Sequence, residues 1–141
     1  MSLEIFKRIK IRLDSENFLR IFLGLVFLSA GFFRILNSNL AVLEFINLRL
    51  PGWLSPIMII FELGAGLGLL VNRYSKKIYY SLSIFLVIVL AWAFIIDGQS
   101  ILNQAGELFV FNLNPTDWFL HFIFLLLAIF LLAKERENRK N

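Results

Sequence analysis

Residues 53–71 read WLSPIMIIFELGAGLGLLV, and Glu62 is the only charged side chain in this stretch. A helix crosses a hydrocarbon core of about 30 Å with about 20 apolar residues. Because lipid offers the backbone no hydrogen-bond partners, a continuous apolar run of this length predicts a membrane-spanning helix. A carboxylate at that depth is costly unless it is paired, protonated or faces a cavity. Glu62 therefore indicates either a functional site or a contact that holds helices together.

Three further apolar runs, at about residues 18–36, 78–96 and 117–133, have a similar character. Of the 141 residues, 59% are hydrophobic and 17% are charged, whereas soluble domains are about half apolar and about a quarter charged. The sequence therefore predicts an all-α fold, a single-domain integral membrane four-helix bundle in contact with the lipid bilayer. Soluble enzymes, nucleic-acid-binding proteins and secreted domains are disfavoured by this composition.

The basic residues predict the orientation of these helices. Of the 14 Lys and Arg residues, only Arg34 and Arg49 fall on one side of the predicted membrane, and the positive-inside rule places the other side in the cytoplasm. We therefore expect both termini to be cytoplasmic, in the plasma (inner) membrane of a prokaryote. Residues 3–14 combine an apolar face with basic neighbours, which predicts a short interfacial amphipathic helix on anionic lipid, with a partner protein as the alternative for this face.

Glycines recur in the first two apolar runs. Gly24 and Gly31 are seven residues apart, so they share one helical face. Small residues let membrane helices approach closely. We therefore predict that glycines pack the first two membrane helices together, namely Gly24, Gly31, Gly64, Gly66 and Gly68.

Several of these positions resemble the DoxX family of small four-helix membrane proteins, which includes the DoxD-type subunits of thiosulfate:quinone oxidoreductases. The matching residues are Arg20, Gly24, Phe27, Gly31 and Arg34 in the first run, Glu62 and Gly66 in the second, and the turn Asn72-Arg73. Arg34 stands where the family more often has lysine, which keeps the charge. The resemblance implies a role in a membrane redox system, either as a subunit of quinone-linked sulfur oxidation or as an accessory component.

Two arginines lie within reach of Glu62, which is expected near the bilayer centre. Arg20 and Arg34 each lie about seven residues from the depth of Glu62, which is roughly 10 Å along a helix. We favour Arg34, because further polar residues occupy the same outer half of the membrane. Pairing with Arg20 and a protonated, unpaired Glu62 are the alternatives. Such a pair either fixes helix register or belongs to a polar, proton-exchanging pocket.

The polar residues of the outer half predict a candidate polar pocket formed by Glu62, Arg34, Asp117, His121 and Trp92. His121 follows Asp117 by one helical turn, so the carboxylate can orient the imidazole. The two residues either cap the helix end or prepare His121 to bind a quinone carbonyl. Trp92 either stacks on a quinone ring or belongs to the aromatic belt. No residue is assigned as catalytic.

Cofactor chemistry is restricted by the absence of cysteine and by the single histidine. Covalently attached haem and thiolate metal sites need cysteine, and one histidine does not supply two axial haem ligands. We therefore expect no metal site and no covalently bound cofactor, whereas the resemblance implies a quinone. The expected function is a quinone-interacting or accessory subunit of an oxidoreductase, bound to a redox partner subunit or to further copies of this chain. A proton or small-solute transport module and a purely structural or assembly protein are the alternatives.

Overall fold

The computed structural model describes residues 15–72, 74–104 and 117–138, and these residues contain helices and no strands. The helices in chain order are α1 (Ser15–Leu36), α2 (Ser38–Asn47), α3 (Leu54–Leu70), α4 (Ser75–Gln104) and α5 (Asp117–Asn138). The expected interfacial helix at residues 3–14 lies outside the described residues, as does most of the segment between α4 and α5.

Three of these helices are long and apolar enough to cross a membrane, over Ser15–Leu36, Ser75–Leu102 and Trp118–Glu137. The helix α3 is apolar but has only 17 residues. At 1.5 Å per residue it is about 25 Å long, which is at the lower end of the range for spanning helices. The chain is therefore a multi-pass membrane protein, and its membrane-spanning segments are helical where the structure describes them.

The segment between α1 and α3 lies outside the predicted membrane helices, and it contains the helix α2. A Schellman motif ends this helix: the amide of Leu50 donates to the carbonyl of Phe45 at 2.8 Å, and the amide of Arg49 donates to that of Ile46 at 2.9 Å. Arg49 adopts the left-handed conformation that this motif requires, with φ of 55°. Pro51 follows, and the chain then turns into α3.

The helix α4 is longer than the apolar run that predicted it. That run stops at residue 96 because Asp97 is the next residue, but the helix continues to Gln104. Asp97 itself leaves the helical region, with φ of −142° and ψ of 38°, and therefore marks a kink between two helical segments of α4. The more polar turns beyond Asp97 are helical because a helix satisfies its own backbone whether or not its side chains are apolar.

The helices pack as two extensive pairs, α1 with α3 and α4 with α5, and α1 also contacts α5 while α3 contacts α4. The short helix α2 lies against α1 and α3. Leucines fill the space between the long helices, and Leu23, Leu69, Leu82 and Leu86 are completely buried.

Three of the predicted glycines lie where α1 and α3 touch. A Cβ atom on Gly66 would lie 2.8 Å from the carbonyl oxygen of Gly24, and one on Gly31 would lie 2.8 Å from the Cδ2 atom of Leu63. Gly64, in contrast, is exposed, and a Cβ atom there would meet no atom within 4 Å. Gly68 is half-buried. The close approach of α1 and α3 therefore depends on Gly24, Gly31 and Gly66.

Candidate functional site

Arg34 lies at the centre of an ionic cluster that joins three helices. It extends from the last turn of α1, and its Nη1 atom donates to Oε1 of Glu62 in the middle of α3. Its Nη2 atom donates to both oxygens of Glu44 in α2, at 2.7 and 2.9 Å, and its Nε atom donates to Oε2 of Glu44 at 3.1 Å. Of the partners that the sequence left open for Glu62, the structure thus has Arg34.

Arg20, the other candidate partner, binds the carboxyl end of α3. Its Nη1 atom donates to the carbonyl of Leu69 and, at 3.3 Å, to that of Leu70, while its Nη2 atom donates to Oδ1 of Asn17 at 3.2 Å. The last carbonyls of a helix have no partner within the helix and carry partial negative charge. Arg20 therefore caps α3 at the end opposite to the ionic cluster.

The three charged side chains of the cluster differ in their exposure to the surroundings. The Glu44 side chain is 45% exposed, whereas Arg34 is 12% and Glu62 only 5% exposed. The guanidinium donates through two nitrogens, Nε and Nη2, to the more exposed carboxylate, Glu44, and through Nη1 alone to the buried Glu62. As a result, Oε2 of Glu62 is buried and has no hydrogen-bond partner among the described residues.

Such an atom is unusual, since nearly all buried polar atoms in proteins have a partner. A buried carboxylate oxygen without a donor costs more than a neutral group in the same position. The cluster also contains two carboxylates and one guanidinium, so it carries excess negative charge when both carboxylates are ionised. Oε2 of Glu62 therefore carries a desolvation cost that the single bond from Arg34 does not remove.

A cavity of about 460 Å³ adjoins this cluster. Small-molecule sites usually enclose about 300–1,000 Å³ and combine apolar walls with a few polar groups. The walls here come from α1, α2, α3 and α5, and they consist of Val26, Phe27, Ser29, Ala30, Phe33, Arg34, Leu40, Ala41, Glu44, Glu62, Leu120, His121 and Phe124. The cavity therefore has the size and composition of a site for a small, mainly apolar molecule with a polar head.

The structure brings together three of the five residues of the predicted pocket, namely Glu62, Arg34 and His121. The imidazole of His121 lies edge-on to the Phe124 ring, with 6.3 Å between the ring centroids. Asp117 is the first residue of α5, but its side chain lies outside the described part of the structure, and so does its predicted contact with His121. Trp92 is not among the residues that line the cavity.

Trp92 instead ties α4 to the segment that follows α2. Its Nε1 atom donates to the carbonyl of Leu48 at 3.0 Å, which is one residue before the left-handed turn at Arg49. Trp118 makes a similar contact between α4 and α5, because its Nε1 atom donates to the carbonyl of Leu90 at 3.1 Å. Both indoles thus satisfy backbone carbonyls at contacts between elements.

Glu44 is the residue of the site that the sequence analysis missed. It belongs to a segment outside the predicted membrane helices, so its side chain had no predicted direction. A signal was present, because Leu40, Ala41 and Glu44 fall on one face if residues 38–47 are helical. All three line the cavity, and the helix therefore supplies one wall of the site together with its second carboxylate.

A comparison with protein-family models matches residues 17–96, more than half of the chain, to the model described as DoxX. The matched segment includes the whole ionic cluster of Arg34, Glu44 and Glu62, whereas α5 with His121 lies beyond it. No curated protein and no solved structure shows a significant match to the chain.

Proposed function

Because the chain belongs to the DoxX family, we propose that it is a subunit or accessory protein of a membrane redox system and that its cavity receives a quinone-type molecule. In this proposal the four apolar helices form one bundle in a prokaryotic plasma membrane. Both termini lie in the cytoplasm, which agrees with the distribution of Lys and Arg. The Arg34 cluster then lies in the outer half of the membrane.

The observation that carries the proposal is a cavity of about 460 Å³ whose apolar walls adjoin the ionic cluster of Arg34, Glu44 and Glu62. A quinone-type head is flat and apolar with polar groups at its edge, which matches walls that include Phe27, Phe33 and Phe124 and polar groups from Glu62 and His121. The role assigned to this chain is to position that head. Electron transfer is assigned to a partner subunit that carries a redox group.

The test is purification of the tagged protein from native membranes in mild detergent, followed by mass spectrometry of the polypeptides and lipid-soluble molecules that accompany it. We expect an oxidoreductase subunit, a stoichiometric quinone or both. Recovery of a homo-oligomer with phospholipid alone would contradict the proposal.

A pair of matched variants locates any quinone that is recovered. Ala30→Phe adds bulk to the wall of the cavity, whereas Ala133→Phe makes the same change at an exposed position of α5. We expect the first variant to lose the quinone while keeping its partner subunit, and the second to keep both. Equal loss in the two variants, or retention in both, would place the quinone elsewhere.

A structural role is the second candidate, and the observation in its favour is that one side chain of α1, Arg34, donates to carboxylates of both α2 and α3. Buried ion pairs are often replaceable by apolar residues of similar volume without loss of stability. A double Arg34→Leu and Glu62→Leu variant separates the two roles. If this variant folds and still retains quinone and partner at wild-type levels, the cluster is a structural link and the quinone site is refuted.

A further inference from the structure

We propose that the protein binds the headgroup of an anionic phospholipid in a second cavity, at the end of α3 opposite to the Arg34 cluster. This headgroup pocket has a volume of about 580 Å³. Its walls come from the turn between α3 and α4, the first turns of α4 and the last turns of α5. The headgroup pocket is separate from the quinone-type site, because none of the described residues lines both cavities.

The headgroup pocket lies at the depth where phospholipid headgroups are found. Two of the candidate membrane spans terminate there, since one begins at Ser75 and another finishes at Glu137. Lys76 and Glu135, which lie next to these ends, line the pocket. Headgroups occupy the region directly outside the hydrocarbon core, where spanning segments end. This depth does not depend on which side of the membrane the termini occupy.

The lining of the pocket carries more positive than negative charge. Lys76 and Lys77 contribute two ammonium groups, and Glu135 contributes one carboxylate. Within the part of the chain that the structure describes, neither lysine forms an ion pair. The nearby Lys134, in contrast, pairs with Glu137 at 3.1 Å. Because an ammonium group has only donors, the phosphate of a lipid supplies both the negative charge and the acceptors that suit these two lysines.

Two exposed tyrosines that line the pocket place cations beside it. Nζ of Lys77 lies 5.6 Å from the centre of the Tyr74 ring, and the guanidinium carbon of Arg136 lies 6.0 Å from the centre of the Tyr80 ring. Contacts of this kind attract a cation to a ring face without neutralising its charge. Tyrosine is also favoured at headgroup level, because its ring is apolar and its hydroxyl is polar. The pocket therefore combines positioned cations with side chains typical of this depth.

An apolar stripe next to the pocket favours a lipid over a soluble phosphate. Tyr80, Ile84 and Ile88 follow one another at intervals of four residues, so they share one face of α4. Their exposed fractions are 51%, 52% and 62%. The acyl chains of a lipid whose headgroup enters the pocket can lie along this stripe, whereas a soluble phosphate gains nothing from it.

The expected contribution of each lysine is large enough to measure. One basic residue close to anionic lipid changes the affinity roughly fivefold. Lys76→Gln and Lys77→Gln should therefore each weaken the binding of phosphatidylglycerol by roughly fivefold. Lys134→Gln is the matched control, because it removes the same charge near the same end of α5 from a residue that does not line the pocket. Screening should limit its effect to less than about twofold.

The experiment is native mass spectrometry of the delipidated full-length protein, released from detergent micelles with dioleoyl phosphatidylglycerol or dioleoyl phosphatidylethanolamine, and it measures the dissociation constant of the first bound lipid. Phosphatidylglycerol should bind to the wild type at least about fivefold more tightly, because the ammonium group of phosphatidylethanolamine offsets its phosphate charge. Equal affinities for the two lipids, or no binding of phosphatidylglycerol, would overturn the inference. Equal losses in Lys76→Gln and Lys134→Gln would also overturn it, since they would indicate general charge attraction without a site.

A ligand-side measurement on the wild type separates a lipid from a soluble phosphate and needs no variant to fold. Glycerophosphoglycerol has the headgroup of phosphatidylglycerol but no acyl chains. It should bind at least about tenfold more weakly than the whole lipid, because it makes no contact with the stripe at Ile84 and Ile88. If it binds as tightly as the lipid, the pocket takes a soluble phosphate ester and the lipid assignment is wrong.

Discussion

Replacing Gly66 with alanine tests how closely α1 and α3 approach each other. A Cβ atom at this position would lie 2.7 Å from Cγ of Leu28, 2.8 Å from the backbone nitrogen of Leu28 and 2.8 Å from the carbonyl oxygen of Gly24, whereas ordinary contact begins at 3.4 Å. Two of these three atoms belong to the backbone, so no side-chain rotation removes the overlap. The two helices must separate for alanine to fit.

The expected cost follows from two opposing effects. Overpacking of a close-packed interior usually costs about 1–3 kcal/mol, while exchanging glycine for alanine inside a helix returns up to about 1 kcal/mol. We therefore expect Gly66→Ala to lower the free energy of unfolding by about 1–2 kcal/mol. Unfolding with sodium dodecyl sulfate from dodecylmaltoside micelles, followed by circular dichroism, measures the difference.

Gly64→Ala is the matched control, because it makes the same change on the same helix where a Cβ atom meets nothing within 4 Å. This variant should be as stable as the wild type or more stable by up to about 1 kcal/mol, from helix propensity alone. If Gly66→Ala unfolds at the wild-type detergent fraction, or if Gly64→Ala loses as much stability, the interface between α1 and α3 is not as close as the structure has it.

Four further variants probe the polar contacts. Arg34→Ala should destabilise the fold by about 3–5 kcal/mol in the same unfolding assay, because it leaves the Glu62 carboxylate buried without a cation. Glu44→Ala should cost less than about 1 kcal/mol, because Glu44 is partly exposed. Similar losses of stability in the two variants would contradict the difference in burial between Glu62 and Glu44. Arg20→Ala should lower the free energy of unfolding by about 1–3 kcal/mol, because it removes a charged donor from the last carbonyls of α3. Amide hydrogen exchange should rise first in that last turn of α3. An unchanged exchange rate would show that water replaces Arg20 as the cap. Trp92→Phe should increase hydrogen exchange between α2 and α3 while changing global stability by about 1 kcal/mol or less, and unaltered exchange there would show that the indole does not hold this segment.

The sequence predicted the membrane helices because their signal is long and local. An apolar run of about 20 residues has few alternatives once lipid is the solvent. The pairing of Glu62 with Arg34 was also within reach, because helix rise alone limits a buried carboxylate to cations at a similar depth. Depth does not define the direction of a side chain around its helix, however, so Arg20 stayed an alternative until the structure placed it on the end of α3.

The parts that sequence reasoning did not find depend on contacts between elements. The helix α2 is short, and a helix of 10 residues is marginal by itself in the absence of packing. Its packing against α1 and α3 directs Glu44 toward Arg34. No pattern in the sequence around Glu44 predicts that Arg34 is its partner. Similarly, Gly64 and Gly66 look equivalent in the sequence, and only the rotation of α3 against α1 makes one a contact residue and leaves the other exposed.

The donor nitrogens of Arg34 are shared unequally between its two carboxylates, which indicates that the cluster is more than a structural link. If stability alone determined the arrangement, the bidentate face of the guanidinium would be expected on the buried Glu62, where an unpaired oxygen is most costly. The structure has the reverse: Glu44, which is 45% exposed and can be hydrated, takes both Nη2 and Nε, while Glu62 receives Nη1 alone. The unmet cost therefore falls on Oε2 of Glu62, whereas both oxygens of Glu44, which also lines the cavity, accept from Arg34. Stability alone therefore does not explain how Arg34 divides its donors between the two carboxylates.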